Sequence, residues 1–136
     1  MKPFEREDLE ALPGPFRLER AALLAAGVTT WQQLGGLPPE RLRALARPGM
    51  ASETRLLRLR AQARLMAEAR LAPQEAALLL HAGIAEARVL AEADPQRLLQ
   101  QVNRVGRRLL GPAAPPLKLA TVRGWIQAAA ASRSGN

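Results

Sequence analysis

The apolar positions of this chain recur three and four residues apart in short blocks, and glycines and prolines separate the blocks. No segment alternates apolar and polar residues over a useful length, so helices and no sheet are predicted. Residues 1–11 form a short charged lead-in, and Leu12-Pro13-Gly14-Pro15 breaks any helix. The first apolar block spans about Arg17 to Ala26, with Leu18, Ala21, Ala22 and Ala25 on one face and Leu23 and Leu24 at a second edge. Gly27 reads as its left-handed C-cap. Thr29 or Thr30 caps a short helix through Trp31 and Leu34, which Gly35-Gly36 stops. Pro38-Pro39 opens a third helix that reaches about Ala46.

Pro48-Gly49 is the next turn, and behind it lies the longest helix, over residues 52–69. Ser52 suits its N-cap and Glu53 the positive end of its dipole. Leu56, Leu59, Ala63 and Met66 form one stripe; Leu57, Ala61 and Leu65 form another. Two stripes predict neighbours on two sides, as expected of a helix bridging two halves. Pro73 then opens a helix to Ala82, ended by Gly83, and a short helix follows over residues 86–91. Asp94 and Pro95 start another, to about Val105. Residues 106–117 read as a loop. A last helix over 119–131 is expected to bury Val122, Trp125, Ile126 and Ala129, with 132–136 as a tail.

A shift of 56 residues superimposes two halves of the chain. Glu19 falls on Glu75, Leu23 on Leu79, Ala26-Gly27-Val28 on Ala82-Gly83-Ile84, Leu34 on Leu90, Pro39 on Pro95 and Arg41-Leu42 on Arg97-Leu98. These positions pack, cap or start helices, so the repeat is one of structure and not of a catalytic site.

The order Leu-Pro-Gly, apolar helix, Ala-Gly-Val-Thr-Thr, short helix, Pro-Glu-Arg-Leu resembles helix-hairpin-helix proteins. Over nearly the whole chain the sequence is similar to an uncharacterised bacterial family of tandem helix-hairpin-helix domains. Residues 63–66, 76–84, 100–103 and 121–128 around Trp125-Ile126 carry that similarity. The resemblance implies an all-α, compact tandem helix-hairpin-helix (SAM-like) bundle of about eight or nine helices in two pseudo-repeats, and it hints at nucleic acid. The expected organisation is one compact domain over residues 1–136, with a first unit over 12–69 that includes the bridging helix and a second over 70–131.

Charge sharpens that hint. The net charge is +8, and it is unevenly spread. Residues 41–70 hold eight arginines against Glu53 and Glu68; residues 97–123 hold Arg97, Arg104, Arg107, Arg108, Lys118 and Arg123 with no acid. Two basic blocks thus alternate with neutral or acidic ones, a pattern able to build a phosphate-attracting face. The bland counterpart is a helical protein with solvated arginines.

The absence of cysteine excludes disulfide and thiolate chemistry. No apolar run approaches the ~20 residues of a membrane span, and residues 1–12 do not read as a signal peptide, so a cytoplasmic protein is the default. No phosphate-binding loop of the Walker type, dinucleotide fingerprint, nucleophile elbow or metal-spaced acid cluster occurs. The lone His81 has no cysteine or clustered carboxylates near it in sequence. Neither an enzyme nor a cofactor, metal or small-molecule substrate is therefore expected. Trp31 and Trp125 lie at helical spacing among leucines and isoleucine, as core residues do.

In DNA-binding helix-hairpin-helix motifs a glycine-rich loop and the following helix N-terminus present backbone N–H groups to a phosphate. The best match is Gly49-Met50-Ala51-Ser52, flanked by Arg47 and Arg55; Ala51 stands where a second glycine is usual, which requires a negative φ. At Pro15-Phe16 and at Leu71-Ala72-Pro73 the match fails. Arg104, Arg107 and Arg108 form a second candidate contact, on the expected loop. Two readings follow: a non-enzymatic protein that contacts the nucleic-acid backbone non-specifically, or a helical adaptor that binds a protein partner.

Overall fold

The computed structural model of the chain describes residues 16–134. Eight helices lie within them: α1 Arg17–Ala25, α2 Trp31–Gly35, α3 Pro39–Leu45, α4 Glu53–Ala69, α5 Pro73–His81, α6 Ala87–Ala91, α7 Pro95–Leu110 and α8 Leu119–Ser134. Among the described residues there is no strand. The expected lead-in over 1–11 and the Leu12–Pro15 break lie outside them. Two compact units divide between Arg64 and Leu65, inside α4.

In the first unit α1 ends in a Schellman motif. Gly27, at φ +84°, lets its own N–H reach Leu24 O and the Val28 N–H reach Leu23 O, at 3.0 and 2.9 Å. Thr30 caps α2 reciprocally: its hydroxyl accepts the Gln33 N–H at 3.1 Å, and Gln33 Oε1 accepts the Thr30 N–H at 3.2 Å. Gly35 faces α4 closely, since a Cβ there would sit 3.4 Å from Ala63 Cβ, at the near edge of ordinary contact. The core gathers Leu23, Trp31, Leu34, Leu42, Leu56 and Leu59, none more than 1% exposed.

In the second unit α5 ends with the same motif, Gly83 N–H to Leu80 O and Ile84 N–H to Leu79 O, with Gly83 at φ +91°. Asp94 caps α7 by accepting the Arg97 N–H at 2.9 Å, and Pro95 takes the first helical position. Helix α8 packs on α6 and α7, and α5 on α7. Leu79, Leu90, Leu98, Val102, Val122 and Ala129 are buried between them. Trp125 is buried here as Trp31 is in the first unit, one tryptophan to each.

The starts of α5, α6 and α7 fall 56 residues after those of α1, α2 and α3. Each pair begins at the same alignment position because the start and stop residues are matched.

Three expectations are corrected. Helix α1 does not turn Leu18, Ala21 and Ala25 inward: Leu18 is 42% exposed, and the buried positions are Glu19 and Leu23. Helix α7 does not stop at Val105 but runs to Leu110, so Gly106 is helical. One glycine costs a helix about 1 kcal/mol, too little to end it; the helix stops at Gly111, whose N–H still reaches Arg107 O at 2.9 Å. The irregular stretch is only 111–118, opened by Gly111 at φ +96°. Helix α8 likewise continues through 132–134, which the tail was expected to occupy.

The end of α4 departs from the glycine rule. Arg70 takes φ +57° while the Leu71 N–H reaches back to Met66 O at 3.1 Å. Left-handed backbone costs an L-residue about 1–2 kcal/mol, and glycine's extra freedom when unfolded returns part of that. Arg70→Gly is therefore expected to stabilise the chain by about 0.5–1 kcal/mol, a rise of roughly 2–4 °C in a thermal melt.

Candidate nucleic-acid interface

The first candidate is the turn between α3 and α4. Pro48 and Gly49 are the central residues of a tight turn, closed by the Met50 N–H on Arg47 O at 3.0 Å. Proline followed by a glycine at φ +76° fits a type II turn. A second bond, Arg47 N–H to Ala51 O at 2.9 Å, braces it. Ala51 is not among the residues of positive φ, which satisfies the condition set by its place in the motif, and its side chain is buried. Met50 is 63% exposed.

Three groups expected to face a ligand instead face the protein. The Ser52 N–H, at the start of α4, donates to Glu19 Oε2 at 2.7 Å. Glu19 is 1% exposed, and its Oε1 meets no hydrogen-bond donor among the described residues. A carboxylate thus sits where a helix N-terminus offers an anion its site. The Arg47 Nη1 donates to Ala44 O and Ala46 O at 2.8 and 2.7 Å, capping the carbonyl end of α3. Ser52 Oγ is drawn toward the α4 backbone, accepting the Arg55 N–H at 3.4 Å. The Arg55 side chain itself is exposed.

Glu75 shows that burial of Glu19 is not a property of the repeat. It too is the third residue of its helix, yet it takes the Ala72 N–H of its own α5 at 2.8 Å. Glu19 instead reaches a backbone group 33 residues away. Glu19→Ala would orphan the part-buried Ser52 N–H and leave a void where the buried Glu19 side chain sits, at about 2–4 kcal/mol by urea unfolding. Glu19→Gln keeps an accepting oxygen and is expected to cost less than half as much.

The second candidate is α7. Arg104, Arg107 and Arg108 are all exposed, and they are helical. At 100° per residue Arg97, Arg104 and Arg108 fall within about 40° of one another, along roughly 16 Å of helix. Leu98, Val102, Val105 and Leu109 are centred about 110° around the helix from them. Arg97, exposed as well, was not singled out from the sequence. The signal for it is the spacing of seven and eleven residues to Arg104 and Arg108; a helix expected to end near Val105 leaves Arg108 outside it. No acid occurs from residue 95 to the end of the chain, so these arginines have no carboxylate of their own segment to pair with.

Beyond α7 the loop 111–118 folds back and is pinned there. Asn103 donates from Nδ2 to Leu117 O at 3.3 Å and accepts the Leu117 N–H at 2.8 Å. Among the described residues no group of three or more His, Cys, Asp or Glu side chains gathers, and no helix is long and apolar enough to cross a membrane.

No curated protein and no solved structure matches this chain. A family of sequences does. Residues 13–132, a span containing α1 to α7 and most of α8, match the domain of unknown function DUF4332, and the chain belongs to that family.

Proposed function

We propose that the protein is a non-enzymatic binder of the nucleic-acid phosphate backbone, built from two helix-hairpin-helix pseudo-repeats. The observation that carries this reading is the acid-free basic face of α7, with Arg97, Arg104, Arg107 and Arg108 exposed. Arginine on a rigid helix presents its guanidinium to phosphate oxygens at small entropic cost. Backbone contacts of this kind position a duplex without reading its sequence. The matched starts of the two sets of helices and the paired Schellman glycines favour the pseudo-repeat. Of the two candidate contacts α7 is the stronger, since the turn at Gly49 has given its Ser52 amide to Glu19 and the Arg47 guanidinium to α3.

The test is fluorescence anisotropy of a labelled DNA duplex across a salt series from ~50 to ~200 mM. Affinity is expected to fall steeply, with a logarithmic slope of about −0.9 for each phosphate neutralised. Absence of binding at the low-salt end, or binding indifferent to salt, rejects the proposal.

A further inference from the structure

One face of α7 distinguishes between forms of nucleic acid. Arg97, Gln101, Arg104 and Arg108 stand at positions i, i+4, i+7 and i+11 of the helix, and all four are exposed. At 100° and 1.5 Å per residue they keep within about 60° of one another, with rises of about 6.0, 4.5 and 6.0 Å between neighbours. Gln101 thus fills the gap between Arg97 and Arg104, and its amide can donate to a phosphate oxygen. Arg107 lies about 90° round the helix from this row.

The row is held in place by the rest of the second unit. Its first turn is capped by the Asp94 carboxylate, which accepts the Arg97 N–H at 2.9 Å. Leu98, Val102 and Val105 anchor the same helix in the core. The Asn103 side chain ties the following loop to the helix through two hydrogen bonds with Leu117. Donors held in a straight row lose little freedom on meeting phosphates that are themselves held in place, as they are in a double helix. A flexible single strand must first be ordered against them, at an entropic cost.

Single-strand binders offset that cost by stacking bases on aromatic side chains. No aromatic residue occurs on α7, and the chain has no tyrosine. Trp31 and Trp125 are buried, Phe16 is half-buried, and Phe4 lies outside the described residues. The exposed ring of His81 ends α5. Counterion release favours the duplex as well, with a logarithmic salt slope of about −0.9 per neutralised phosphate against about −0.7 for a single strand. We infer that α7 selects double-stranded over single-stranded DNA, with Arg97, Gln101, Arg104 and Arg108 lying along the backbone of the duplex. This selectivity rests on the phosphate-binding reading and adds to it the form of nucleic acid and a fourth contact, Gln101.

The full chain is titrated at ~100 mM salt into a labelled mixed-sequence DNA duplex of roughly 20 base pairs and, separately, into its labelled single strand. The duplex is expected to bind about fivefold more tightly or better, since three neutralised phosphates alone give about fourfold. Gln101→Arg adds a cation within the row; it is expected to tighten the duplex roughly fivefold and to steepen its salt slope by about 0.9. Gln96→Arg adds the same charge about 110° round the same helix and is expected to tighten the duplex less than about twofold. Both positions are exposed, and arginine and glutamine have nearly equal helix propensity, so both variants are expected to fold. Equal or tighter binding of the single strand overturns the selectivity and leaves the phosphate-binding proposal standing. Equal gains from the two variants overturn the placement of the row, because net charge would then be the whole effect. Failure of both DNA forms to bind rejects the phosphate-binding proposal itself, and the selectivity with it.

Discussion

Leu59→Asp is expected to abolish the cooperative unfolding of the first unit. Leu59 is 0% exposed and lies on α4 between Leu56 and Ala63, in the same buried stripe. The substitution forfeits about 1.5–3 kcal/mol of apolar burial. It also sets a carboxylate among leucines, where the effective penalty is several kcal/mol more. Together these losses rival the roughly 5–15 kcal/mol that holds an ordinary domain folded. Leu59→Ala is the graded control, expected to cost about 2–5 kcal/mol and remain folded. Urea unfolding followed by circular dichroism reads both. A cooperative transition in the aspartate variant would refute the assignment of Leu59 to the core.

The second large effect concerns binding. Reversing Arg104, Arg107 and Arg108 to glutamate is expected to lower duplex affinity at least about 100-fold at ~50 mM salt and to flatten the salt slope by about 2–3. All three side chains are exposed, so the helical signal should be retained. Placing acids in the last turns of α7 opposes its dipole and costs about 1 kcal/mol or somewhat more, which a melt will register as a modest shift. Reversal of Arg47 and Arg55 is the informative contrast. Arg47 caps the carbonyls of α3, so that pair should lower stability more clearly than it lowers affinity. Unchanged duplex binding after the α7 reversal would remove the basis of the proposed function.

What the sequence disclosed depended on the range of the interaction concerned. Gly27, Gly83, Thr30 and Asp94 act within four or five residues of themselves, and the helix ends they set were readable in order. The 56-residue repeat was readable for the same reason, being a repeat of such local signals. Glu19 was not readable. A glutamate two residues into a helix looks like a solvated or self-capping residue, which describes Glu75; only the fold brings the Ser52 amide to it. Arg47 was read as a phosphate contact because a basic side chain beside a turn has the same appearance whether it faces solvent or folds onto the preceding carbonyls. Gly106 misled in the opposite direction. Together with Gly111 and the prolines behind it, it makes 106–117 read as a loop, whereas a single glycine does not stop α7 and the breakers act only from Gly111 onward.

The placement of the two tryptophans has a practical consequence. The chain contains no tyrosine, so its near-ultraviolet emission comes from Trp31 and Trp125 alone. Each is shielded, at 1% and 6% exposure, and they belong to different units. Trp125→Phe leaves a fluorophore that watches residues before Arg64, and Trp31→Phe leaves one that watches residues after it. Melting each in turn separates two possibilities that a single averaged signal would merge. Coincident midpoints mean that the shared helix α4 couples the units into one thermodynamic transition, and staggered midpoints mean that it merely joins them.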